Sequence, residues 1–74
     1  MSGSLRRMRE RELEQELLCE RWKHPVGTYV KVRRDDGREI PTCTASMPWM
    51  LGSKAVILVD GISGGYSLDR VSVV

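Results

Sequence analysis

One histidine, two cysteines and a pair of adjacent aspartates are the side chains that could carry catalysis in this chain of 74 residues. A nucleophilic relay needs a base beside its nucleophile and a third group to orient that base. His24 stands directly before Pro25, in a segment that supplies neither. A cation there suits the dipole at a helix end instead. Asp35 and Asp36 could share a proton or a metal, but they lead into Gly37, and aspartate is favoured in turns for its local hydrogen bonds. Two cysteines and one histidine, scattered along the chain, fall short of tetrahedral zinc ligation. Gly61, Gly64 and Gly65 suggest a phosphate loop, yet no Lys-Ser/Thr pair and no helix follow them. A strand connection with positive φ accounts for them better. The expectation is a protein that is not an enzyme and uses no cofactor and no metal.

Two groups of residues remain as binding candidates. Met47, Trp49, Met50 and Leu51 form an apolar segment, with Tyr29 and Tyr66 as further aromatic contacts. Trp and Met are enriched in interface cores, and Trp is a frequent hot spot. Closure of a small core explains the same residues. Lys31, Arg33, Arg34 and Arg38 form a basic hairpin whose alternating side chains could follow a phosphate backbone. Solubility and protection of a sheet edge explain the same charges.

These groups must be positioned by few elements. Residues 1–4 are expected to be a disordered start, with Ser4 as the N-cap of an amphipathic helix within residues 5–24. Leu13, Leu17, Leu18 and Trp22 form its apolar stripe, and Cys19 is expected to face inward beside Trp22. Pro25 ends the helix. From Val26 to Val32, Val26, Thr28, Val30 and Val32 alternate with Tyr29 and Lys31, as in a strand with one buried face. Asp36-Gly37 predicts a tight hairpin turn with positive φ. The returning strand is cut by Pro41, and Thr42 to Thr44 continues it as an edge. Ala45 to Ser53 reads as a loop. Lys54 to Asp60 reads as a central strand buried on both sides. A single 3₁₀ turn is expected at Leu68-Asp69-Arg70, before the last strand.

A chain this short buries only about 60% of its unfolded surface, and it has four aromatic residues, so Val, Leu, Ile and Met must supply most of the core. Its net charge of +2 is weakly basic, short of a dedicated nucleic-acid binder. Met1 to Glu20 holds no apolar stretch of signal-peptide length, and no run is long enough to span a bilayer. A cytoplasmic protein with reduced Cys19 and Cys43 is expected, with no membrane partner.

Val26-Gly27-Thr28-Tyr29-Val30-Lys31-Val32 resembles the opening strand of small SH3-like barrels. Val59 to Val71, with Gly61, Gly64-Gly65 and Leu68-Asp69-Arg70, resembles their late hairpin and closing strand. The resemblance covers 25–74 and implies an α+β fold: an N-terminal helix followed by a four- or five-stranded antiparallel SH3-like barrel. Ser46-Met47-Pro48-Trp49 and Gly64-Gly65-Tyr66-Ser67-Leu68 are similar to segments of small phage and prophage proteins. That likeness implies an accessory or inhibitor protein that occludes a host factor, as anti-CRISPR proteins do. The expected partner is a host or phage protein, with nucleic acid on the basic hairpin as the alternative and the helix as a route to oligomers. The chain lacks the aromatic row of polyproline-binding grooves.

Overall fold

The computed structural model describes residues 2–74, with side chains from Glu10 onward. Helix α1 spans Ser2–Arg21. Six strands follow: β1 (Tyr29–Arg33), β2 (Glu39–Cys43), β3 (Trp49–Leu51), β4 (Lys54–Ile57), β5 (Tyr66–Ser67) and β6 (Val71–Val73), with a 3₁₀ turn at Leu68–Arg70 between the last two. They form two three-stranded antiparallel sheets, ordered β2-β1-β6 and β3-β4-β5. The fold is α+β.

The expected closed barrel is not formed. One corner joins the sheets, where Asp60 N–H donates to Cys43 O at 3.0 Å and Ala45 N–H to Leu58 O at 2.8 Å, around a Thr44–Val59 bridge. The opposite side stays open. β5 is two residues long, and the chain coils through the 3₁₀ turn before β6 joins the other sheet.

Val30, Val32, Ala55, Ile57, Val59, Leu68 and Val71 make the core between the sheets. In β1 the expected alternation holds at Val30 and Val32, both buried, against exposed Tyr29, Lys31 and Arg33. It fails at Val26, which is exposed and precedes the strand. Gly27 takes φ +93°, so the chain turns there instead of extending. Thr44 holds that turn: its buried Oγ1 accepts Gly27 N–H at 3.0 Å and Thr28 N–H at 3.2 Å.

Pro41 lies within β2 without interrupting it. β2 is an edge strand paired only with β1, so the missing N–H costs no ladder bond on the open side. The expected loop from Ala45 to Ser53 contains β3, which pairs with β4 through a two-residue connection, Gly52-Ser53. Gly52 has φ +64° and Ser53 does not have positive φ, the combination of a hairpin turn with glycine first. The expected strand Lys54 to Asp60 is shorter: β4 stops at Ile57, and Val59 makes only the isolated bridge. Burial of Ala55, Val56 and Ile57 in succession does match a strand covered on both faces.

The helix departs most from expectation. It begins at Ser2, so Ser4 lies within it and is not its N-cap; of the expected disordered start, Met1 lies outside the described residues. Its end is at Arg21, where Trp22 N–H reaches Cys19 O at 3.3 Å and tightens the last turn. Leu13, Leu17 and Leu18 are exposed, and the docked residues are Gln15, Cys19 and Trp22. At 100° per residue, Leu13 and Leu17 sit roughly opposite that docked side. The docked side is mixed: Cys19 and Trp22 pack against the core, and Gln15 makes a polar contact. Gln15 Oε1 accepts Ala55 N–H at 3.0 Å. β5 ends opposite Val56, so Ala55 has no strand partner on that side.

Candidate functional site

Strand alternation sorts the apolar segment into two faces. Met50 pairs with Ala55 and faces inward, and so does Tyr66, which pairs with Ile57; both pack against the core. The Tyr66 hydroxyl donates to the Arg33 carbonyl and ties the two sheets together. Trp49 and Leu51 face outward, opposite Val56 and Lys54. Met47 is exposed just before the strand. Ser46 fixes that entry: its Oγ accepts Leu58 N–H at 3.1 Å and donates to Met47 O at 2.9 Å.

The outer face of β3-β4-β5 is therefore the apolar site. Trp49 stands beside Val56 in the sheet and reaches across to Gly65. A methyl group on Gly65 would meet Trp49 Cη2 at 3.5 Å and Val56 Cβ and Cγ2 at 3.0 Å. A side chain at position 65 would press on Val56 and only touch the indole at ordinary van der Waals distance, so glycine there makes room for Val56. The indole shields Val56, which is only 5% exposed, while Trp49 itself is 38% exposed and Leu51 61%. Neither sequence-based alternative for Trp49 holds alone: it covers one strand residue and still offers a ring surface to solvent. Gly65 is the site residue that sequence reasoning missed. Its pairing with Gly64 was legible, but φ is positive only at Gly64, so Gly65 serves space instead of backbone conformation.

The site residues do not all meet. Tyr29, 73% exposed, belongs to β1 in the other sheet, paired with Cys43 of β2. Met50 and Tyr66 support the site from beneath and are not part of its surface.

The basic hairpin is heavily compensated. Asp36 accepts Arg38 N–H at 3.0 Å and Arg38 Nε at 2.8 Å. Asp35 accepts from the Arg70 guanidinium. Arg33 faces Glu39 across the β1–β2 pair. Lys31 and Arg33 do point to the same outer face, sharing a shallow groove with Glu39, Asp69 and Arg70. The Arg70 hydrogen bond and its charge hold the Asp35 carboxyl below the usual aspartate range, and the Arg38 N–H followed by its guanidinium does the same for Asp36. Asp36 thus serves the turn, as expected for an aspartate at this position, whereas Asp35 bonds the distant Arg70.

The other reactive groups are also accounted for locally. His24 lies edge-on to Trp22, with ring centroids 4.9 Å apart. The helix ends three residues earlier, so the cation in its last turn is Arg21 and not His24. Cys19 and Cys43 are free thiols. Burial, and then the charge of Glu20, push the Cys19 thiol up from its ordinary value, away from the nucleophilic thiolate. Among the described residues, no three His, Cys, Asp or Glu side chains gather where a metal ion could sit. A cleft between α1 and the β3–β4 turn is lined by Arg11, Glu12, Glu14, Lys54 and Asp69, a mixture that favours neither sign of ligand. Among the described residues, no helix is long and apolar enough to cross a membrane.

Comparison of the chain with protein-family models, with curated proteins and with solved structures returns no match.

Proposed function

We propose that the chain is a small, non-enzymatic protein-binding module that uses the outer face of β3-β4-β5. The observation that carries this reading is the posture of Trp49. Trp49 pairs with Val56 in the sheet and is still 38% exposed, near the exposed Leu51 and Met47. A tryptophan ring offers a large contact area at the entropic cost of only two side-chain torsions when a partner covers it. Tyr29 is a separate contact on the other sheet. The module acts stoichiometrically in the cytoplasm by occluding a partner, as a phage-derived accessory or inhibitor protein of the anti-CRISPR kind does; the phage-like segments around Trp49 and Tyr66 support that finer role. The strand order supports an SH3-like ancestry: β6 returns beside β1, after a 3₁₀ turn.

The test compares affinity purification from the native host using the wild-type chain and Trp49→Ala, with a thermal melt of each. Trp49→Ala should lose the captured protein. It should also cost about 1–2 kcal/mol of stability, less than the roughly 3–5 kcal/mol of a fully buried aromatic. Equal capture by both chains would reject this face. Nucleic-acid binding through Lys31, Arg33, Arg34 and Arg38 is the weaker reading, because Asp35, Asp36 and Glu39 stand among these cations.

A further inference from the structure

The leucine stripe that the fold leaves uncovered has a matching charge pattern. Leu13 is 56% exposed and Leu17 41%, one helical turn apart on the side of α1 away from the sheets. The helix is electrically divided about this pair. Leu5 to Arg11 holds four arginines and one glutamate, whereas Glu12 to Arg21 holds four glutamates and one arginine. A second copy of the same helix, running in the opposite direction, would set each arginine-rich half against a glutamate-rich half. A parallel copy would set like against like.

We propose that α1 self-associates with a second copy of the chain as an antiparallel pair, its two-fold axis close to Leu13. Such a contact is isologous and closes after two copies. Leu13 meets its counterpart at the axis, and the two Leu17 side chains lie about one helical turn to either side. Gln15, Cys19 and Trp22 dock the other side of the helix on the sheets, and Leu17 borders an open cleft shared with Asp69 of the 3₁₀ turn. This surface is distinct from the Trp49 face, so the proposal does not depend on the proposed function.

Sedimentation equilibrium of the full chain, taken to about 1 mM at low and at high salt, tests it. The chain should reach a monomer–dimer equilibrium that weakens as salt screens the paired halves. Leu13→Gln with Leu17→Gln should weaken dimerisation on the order of tenfold or more, while the helical signal and the melting temperature at concentrations where both chains are monomeric are kept, both positions being exposed. Glu16→Lys with Glu20→Lys leaves the leucines in place; it should weaken the dimer at low salt and approach wild type at high salt. This second variant decides the question even if the glutamine variant unfolds. A chain that stays monomeric throughout, a dimer indifferent to the leucines, or one that tightens with salt would overturn the proposal.

Discussion

Gly37 offers the cleanest perturbation of the β1–β2 hairpin. Its φ is +86°, and Asp35 and Asp36 do not have positive φ, so the loop is a three-residue connection with only its last residue left-handed. The expected two-residue turn at Asp36-Gly37 is corrected to that extent. Gly37 N–H donates to Arg34 O at 2.9 Å and Arg34 N–H to Arg38 O at 2.8 Å, so the loop conformation sets the strand register. Nothing lies within 4 Å of a methyl group placed on Gly37. Any cost of substitution is therefore conformational and not steric. A left-handed L-residue costs roughly 1–2 kcal/mol, and alanine recovers about 0.4–1 kcal/mol by restricting the unfolded chain. Gly37→Ala should thus lose about 1 kcal/mol. Gly37→Val should lose about 2 kcal/mol, because β-branched residues resist positive φ most. Gly37→Asn should lose least, since asparagine tolerates this region. In a domain of this size each kcal/mol moves the melting temperature by about 4–8 °C. Thermal melts followed by circular dichroism would rank the four chains. Valine melting with the wild type, or asparagine falling below valine, would refute the reasoning.

Thr44→Val conserves volume but removes the hydroxyl that accepts two N–H groups; Gly27 N–H keeps Thr44 O at 2.9 Å and Thr28 N–H keeps Pro25 O at 3.3 Å. Because neither donor is orphaned, the loss should be about 1 kcal/mol, read from urea midpoints, with Thr44→Ser close to wild type. The lowered Asp35 and Asp36 pKa values stabilise the fold above the ordinary aspartate value of 3.8, and that contribution is lost as pH falls through the lower folded-state values. Melting temperature against pH should therefore drop less steeply in acid for Asp35→Asn with Asp36→Asn than for wild type. Both carboxyls are exposed, so the difference should be small, and parallel acid limbs would contradict it.

The α+β order, the glycine of the first hairpin and the 3₁₀ turn at Leu68–Arg70 were legible from residue types, whereas the helix stops at Arg21, before Pro25 could end it. Each legible feature is a local preference: Gly37 permits its backbone angles wherever it stands, and Val30 and Val32 share a face by strand geometry alone. The helix rotation was not local. Hydrophobicity favours burying Leu13 and Leu17, but β5 ends before it can pair Ala55, and Gln15 supplies the missing acceptor. Gln15 satisfies that N–H while Trp22 and Cys19 pack the same side of the helix against the core, a combination set by where β5 ends. The role of Gly65 was equally hidden, because it is defined by Val56 and Trp49 on two other strands. The sequence by itself thus determined which residues could turn, extend or coil and which groups could bind. Only the tertiary structure decided which of them face outward: Trp49 over Val56 on the sheet, and the leucines on the free side of α1. Those outcomes depend on contacts between residues distant in sequence, which no local preference encodes.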